Sequence, residues 1–360
     1  MNIFKKKIFT LEPKIFGLDL GDLSIKILDL EKIGQIHKIK SFGSFNIPAG
    51  YIEDGNIKDK EKVAAIIKEA VVRAKPKKIK THKVICSLPE SKVFLRVISI
   101  PEMQEKELSE AIKWEMEANI PMPIDQVYFD WQLVDRHSKN RLNILTVAVE
   151  KKIVDDLMET FKKADLDVWG LEAESIAITR SLIGKIDAQN RTTSLIVDLG
   201  SKKTSFILTI GDIPFFTSSI PFSSESINDT IAKALNLSWE QAEEVKINNG
   251  IENLNENNPI FEATKYLLEN LVKEIEKTLD FFSEISKESP EIRKIILSGG
   301  AANLKGLPNF ISTRLKKEVE IGNPWVNLNF GKKSSNISRE RSLSYPTVIG
   351  LALRGIDFEI

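Results

Sequence analysis

The sequence has no pair of cysteines, no cluster of histidines and no excess of either charge. Its single cysteine, Cys86, rules out an intrachain disulfide and fits a reducing compartment. Three histidines, His37, His82 and His137, lie far apart and argue against a structural zinc site. Lys+Arg and Asp+Glu stand at 51 each, so the formal net charge is zero. A protein held mainly by phosphate contacts would be basic, so no nucleic-acid partner is expected. Long apolar runs are missing as well. Uncharged stretches such as Ile213–Ser224 fall well short of the ~20 residues of a membrane helix. The opening MNIFKKKIFTLEPK lacks the apolar core of a signal peptide. These absences predict a cytoplasmic protein that reaches a membrane only through partners.

What is present is an ordinary globular composition. Apolar residues make up 42% and charged residues 28% of 360 residues, which predicts two to three domains at about 150 residues each. Residues 15–21, IFGLDLG, and 25–30, IKILDL, read as a hairpin, with a third strand near 35–43 and a helix over 60–74. The lysine-rich KPKKIK after it reads as a solvated connector. Strands at 83–98 broken by Pro89, a helix over 105–120, two strands at 127–134 and 142–149, and a helix over 151–164 form an α+β block.

At 193–210 the opening pattern returns. Phe16–Leu28 (FGLDLGDLSIKIL) and Ile196–Leu208 (IVDLGSKKTSFIL) both place Asp and Gly two apart, with a hydroxyl residue, Ser24 or Thr204, shortly after. Such a duplication predicts two related halves. Further on, the strand KIILS is followed by Gly299-Gly300 and a helix, and the polar stretch 331–341 reads as a mobile loop. A glycine turn between strands lets backbone N–H groups meet a phosphate, and a carboxylate just before it can hold hydrated Mg²⁺. One Asp-x-Gly turn is an ordinary hairpin. Two of them, with a strand–Gly-Gly–helix element, are what an ATP cleft needs.

The turns at 17–26 and 196–204 and LSGGAANLKGL (297–307) resemble the phosphate and adenosine motifs of the actin/Hsp70/sugar-kinase superfamily. LSEAIKWEMEANIPMPIDQVYFDW (108–131), the start MNIFKKK and the ending GLALRG resemble PilM, the family of cytoplasmic actin-like proteins of type IV pilus assembly, along the whole chain. The resemblance implies an α/β, actin-like fold of two duplicated RNase H-like halves around a nucleotide cleft. It divides the chain into a first half (1–82), an inserted subdomain of the kind found in FtsA (83–165), a return helix (166–190) and a second half (191–360) with a helical part about 236–290.

The same resemblance implies ATP and Mg²⁺ as cofactors, with at most slow hydrolysis. It assigns Asp19, Gly21, Asp22, Ser24 and Lys26 to the first phosphate turn, Asp198, Gly200, Ser201 and Thr204 to the second, and Gly299, Gly300 and Ala301 to the adenosine loop. Glu243 and Lys246 would meet ribose and base, and Glu174 would polarise water. Asp19 and Asp198 would hold the magnesium through water. Asp22 departs from the Ser or Thr usual at its position, and a carboxylate there would repel phosphates unless screened. The implied partner is the N-terminal peptide of a PilN-like membrane protein, docked in a groove by the insertion near Ile120 and Met122, with other pilus platform proteins and assembly ATPases beyond it. An FtsA-like filament former and a small-molecule kinase are the alternatives on this fold.

Overall fold

The computed structural model describes residues 14–137, 140–185, 192–252, 258–285, 291–331, 335 and 337–357. The opening MNIFKKK, residues 332–334 and 336 of the polar stretch and the last three residues lie outside these.

The first half is a five-stranded sheet. Its strands are β1 (Ile15–Leu20), β2 (Ser24–Ile33) and β3 (Ile36–Asn46), followed by a small hairpin, β4 (Ile52–Glu53) and β5 (Asn56–Ile57), and helix α1 (Lys60–Arg73). β6 (Lys83–Leu88) then pairs parallel to β1. The insertion follows as β7 (Val93–Pro101), α2 (Glu105–Asn119), β8 (Val127–His137) and β9 (Arg141–Glu150). α3 (Lys151–Lys163), β10 (Asp167–Ala173) and α4 (Glu174–Leu182) return to the first half, giving the strand order β10-β6-β1-β2-β3. β1 is buried along its whole length, as expected of a strand covered on both faces. α1 and α3 seal one face, and their Val63, Ile67, Leu157 and Phe161 join its core.

The second half repeats the plan. β11 (Thr193–Leu199), β12 (Thr204–Ile210) and β13 (Ile213–Ile220) lead into α5 (Ser224–Leu235), α6 (Trp239–Asn249) and α7 (Pro259–Ile285). β14 (Ile292–Ser298), α8 (Leu307–Leu315) and β15 (Glu318–Ile321) complete its sheet, and α9 (Arg339–Ser342) and α10 (Pro346–Ile356) close the chain. α9 falls in the polar stretch read as a mobile loop; Ser338 caps it, accepting from the Arg341 amide at 3.3 Å.

Three boundaries differ from the sequence reading. β6 and α3 belong to the first half, because β6 hydrogen-bonds between β1 and β10 and α3 packs on the shared core. The insertion proper is therefore Val93–Glu150, with its own core around Ile112, Met116 and Ile144. Its sheet also continues that of the second half, in the order β15-β14-β11-β12-β13-β7-β9-β8, through one pairing of Phe216 with Arg96. Finally, α10 does not stay with the second half. Its apolar face packs on Leu28, Leu30 and Ile39 of the first sheet, covering the face that α1 and α3 leave open.

Candidate functional site

The two Asp-x-Gly turns have the same backbone closure. The Gly21 amide donates to the Ser24 carbonyl at 3.0 Å, and the Gly200 amide donates to the Lys203 carbonyl at 3.0 Å. Register confirms the repeat, since Asp19 faces Lys26 across its hairpin and Asp198 faces Ser205 across the other. Both turns open onto one cavity of about 400 Å³ between the halves, with Gly299 and Gly300 on its rim.

Glycine is required at 299, where φ is +83° and a Cβ would lie 2.3 Å from the Leu199 carbonyl oxygen. A Cβ at 300 would meet nothing within 4 Å, so that position is open to the cavity.

Asp19 is held from two sides. The Ser87 hydroxyl donates to it at 3.0 Å while accepting from the Leu20 amide at 3.1 Å, and Lys26 Nζ donates to its other oxygen at 3.4 Å. Asp198 and Glu174 stand in the same cavity. Burial pushes the Asp198 carboxyl up to about 6, against the opposing pull of Ser298 and Lys26. Burial pushes Glu174 well above the ordinary range, and the charges of Asp19, Glu90 and Asp198 raise it further. Carboxylates raised by burial and mutual repulsion form a site that gains from a bound cation. Among the described residues no three such groups are close enough to ligate a metal directly. The donor set therefore fits a hydrated magnesium bridged by water better than a bare ion.

Other expected residues fall differently. Ser24, Lys26, Gly200, Ser201 and Ala301 line the cavity. Thr204 does not: it is fully buried and its hydroxyl donates to the Phe222 carbonyl at 2.9 Å. The pleat explains this, because Ser24 corresponds to Lys203 and Thr204 to Ile25, an inward position, while Ser205 faces the cavity. Asp22 lines the cavity with its carboxylate held by the β4–β5 hairpin, accepting from the amides of Asp54 at 3.0 Å and Gly55 at 2.9 Å. That hairpin reaches over the cleft mouth, where Asp54 pairs with Lys203 of the second half and with Lys92 at 2.9 Å.

Lys246 reaches the cavity edge through a hydrogen bond to the Ser224 hydroxyl at 2.9 Å, whereas Glu243 is not among the lining residues. Burial lowers the Lys246 pKa.

Glu90 escaped the sequence reading. It is 5% exposed, and its carboxylate accepts from the Ser175 amide at 2.9 Å while its own amide donates to Glu174 at 3.4 Å. The signal available was a carboxylate directly after the apolar strand KVICSL and Pro89.

Ile120 and Met122 line a small cavity of about 340 Å³ with Phe94, Val127 and Val149. Ile120 is a core residue at 8% exposure and Met122 is 36% exposed. A larger cavity, about 910 Å³, opens where the first half, the insertion and the second half meet, walled by Lys32, His37 and Ile183, by Gln132–Val134 of β8, and by Pro214 and Val326.

Two duplicated halves closing on a cleft with paired phosphate-type turns define an actin-like protein. The structural relatives agree: an MreB of Spiroplasma citri bound to AMPPNP matches with a TM-score of 0.51 at 13% identity, over 94% of this chain and 95% of that one. The PilM-PilN type IV pilus biogenesis complex matches with a TM-score of 0.81 at 27% identity, over 96% of this chain and 99% of that one. The cell division protein FtsA of Enterococcus faecalis is 22% identical over 351 residues, 85% of this chain and 77% of the relative. The family model for type IV pilus assembly protein PilM matches residues 17–356, and the chain belongs to that family of actin-like pilus assembly proteins. Among the described residues no helix is long and apolar enough to cross a membrane.

Proposed function

We propose that the chain binds Mg-ATP between its halves and serves as a nucleotide-binding adaptor that docks the N-terminal peptide of a PilN-like membrane protein. The observation that carries the nucleotide reading is the pair of equivalent turns opening on one cavity beside Gly299-Gly300. In this reading the amides of the two turns cradle phosphates, and Lys26 meets them as a point charge. Asp19 and Asp198 hold the hydrated magnesium, whose charge would neutralise the phosphates and the raised carboxyls together, and Glu174 beside them is the carboxylate that would polarise water. Gly299–Ala301 and Lys246 border the nucleoside end.

The docking reading draws on the likeness to the PilM-PilN complex. The larger cavity suits a short extended peptide, because β8 is the edge of its sheet and Leu133 stands 38% exposed on it. An edge strand offers main-chain hydrogen bonds, and apolar side chains of the peptide would fill the cavity. The smaller cavity at Ile120–Met122 is built largely by the insertion and holds less.

Titration calorimetry of Mg-ATP into the wild type and Lys26→Ala tests the nucleotide assignment. Affinity should fall at least tenfold on substitution. Equal affinity removes Lys26 from the site, and no heat with either protein removes the nucleotide reading.

A further inference from the structure

The loop Lys75–Thr81, set aside in the sequence as a connector, is pinned at both ends and in the middle. Lys75 and Phe42 exchange backbone hydrogen bonds at 2.9 and 2.8 Å, the Ile79 amide donates to the Val71 carbonyl at 3.0 Å, and the Thr81 hydroxyl donates to the Lys14 carbonyl. Ile79 is 4% exposed and plugs the first core, which leaves Lys75, Lys77, Lys78 and Lys80 exposed around it. None of these four lysines, nor Lys38, makes an ion pair among the described residues. Of the acids around the loop, Glu69 is engaged by Arg73, Asp165 by Lys68 and Asp357 by Lys32. Glu31 faces Lys38 across the β2–β3 ladder and Asp167 begins β10 beside Lys83, so the lysines outnumber the free acids. In a chain of zero net charge, this pole is locally basic.

Its position gives the patch direction. Lys83 and Ile15 begin neighbouring parallel strands, and the β2–β3 tip extends past them, so the loop lies at the end of the first sheet away from Asp19–Gly21. The larger cavity opens at that same end, beside Lys32 and His37. Exposed apolar side chains accompany the lysines: Val72 at 64%, Ile33 at 61% and Ile36 at 48%.

We propose that this pole is a docking surface for an anionic phospholipid bilayer, which orients the mouth of the larger cavity toward the membrane. The patch rests on geometry alone; only its link to peptide delivery rests on the docking reading above. Each lysine near an anionic leaflet adds attraction that falls off within a Debye length, and isolated apolar residues can enter the headgroup layer. Single-stranded nucleic acid is the less favoured polyanion, because it calls for base-stacking aromatics. Among the described residues the exposed aromatic side chains, Trp114, Tyr128, Trp239, Tyr266 and Phe281, all lie outside these segments.

Vesicle co-sedimentation with the full chain tests this, using phosphatidylglycerol mixed with phosphatidylcholine against phosphatidylcholine alone. Binding should require the anionic lipid and be lost at high salt. Reversal of Lys75, Lys77, Lys78 and Lys80 to Glu should weaken it at least tenfold, with Mg-ATP and peptide binding unchanged. The milder set Lys77→Gln, Lys78→Gln and Lys80→Gln keeps the Ile79 plug and should also lose binding. Equal sedimentation with neutral lipid overturns the proposal, as does full binding by the glutamine set. Tighter capture of an oligonucleotide than of the vesicles, lost in the same variants, overturns it too. Peptide binding without vesicle binding would sink this surface and leave the docking reading intact.

Discussion

Asp198 and Glu174 at the cleft floor set how the unliganded protein responds to pH. Both carboxyls are pushed up by burial, Asp198 to about 6. A carboxyl whose folded pKa exceeds its unfolded value binds its proton more tightly when folded. Its stabilising contribution is therefore present at acid pH and is lost as pH rises, between about 4 and 6 for Asp198 and from the ordinary glutamate range upward for Glu174. Asp29 and Glu90, also raised by burial, act in the same direction, while His37, lowered by burial, opposes them. The carboxyls outnumber it, so the free protein should melt at a lower temperature at pH 7.5 than at pH 5.5. Asp198→Asn removes one buried charge and should raise stability at pH 7.5 by up to about 3 kcal/mol, with a gain that shrinks toward pH 5. Melting curves of both proteins across this range give the answer, and a gain that grows toward acid pH would contradict the assignment. The same variant should bind Mg-ATP more weakly, since a group that costs stability when empty is one that a cation relieves.

At the scale of elements, α10 packs tightly against α4 through glycine. A Cβ at Gly350 would lie 1.9 Å from the Ala177 carbonyl oxygen, and one at Gly17 would lie 2.7 Å from the Ala352 amide nitrogen. The last helix thus sits directly on α4 and β1, with no room for a methyl group. Gly350→Ala should cost about 1–3 kcal/mol or more through overpacking, while Gly300→Ala, facing open space, should leave the melting temperature unchanged. Thermal melts of the two variants side by side decide this; equal melting temperatures would mean that α10 yields easily.

Elements were legible in the sequence where local pattern decides them. The two hairpins, the stripe of Leu108, Ile112 and Met116, and the strand before Gly299 follow from periodicity and punctuation alone. What stayed hidden depends on partners distant in sequence. An apolar segment such as YPTVIGLALR announces a buried helix but not which sheet buries it. KVICSL reads as a strand without revealing that it lies between β1 and β10. Thr204 looked like a phosphate ligand because spacing from Gly200 ignores the pleat, and the amides of Asp54 and Gly55 that hold the Asp22 carboxylate were out of view because they come from another hairpin.

At the scale of the whole molecule, three units meet around two openings and share buried contacts. α4 packs on Ile196 and Ile207 of the second half, and Leu95 of the insertion lies in one core with Ala173. The cleft lies between the halves, and the Asp54 carboxylate touches a lysine of the second half and Lys92 at the root of the insertion. The larger cavity lies on the other side, where the first half, β8 of the insertion and the Ile213–Pro214 end of β13 converge. A peptide seated there would contact all three units at once, which is what an adaptor needs. Its contacts would be main-chain bonds to β8 and apolar burial against Leu133 and Val326, both exposed without a partner peptide. A synthetic N-terminal peptide of a PilN-like protein should bind with micromolar-class affinity, on the order of −8 kcal/mol. Apolar and main-chain contacts are screened little by ions, so raising salt should change this affinity by less than about threefold. Leu133→Asp places a charge in the cavity from an exposed position, so the variant should fold and lose at least tenfold in affinity. Met122→Asp should bind as the wild type does. Fluorescence titrations at low and high salt separate the outcomes: loss with Met122→Asp alone would move the peptide to the smaller cavity, and a steep salt dependence would replace apolar docking by charge.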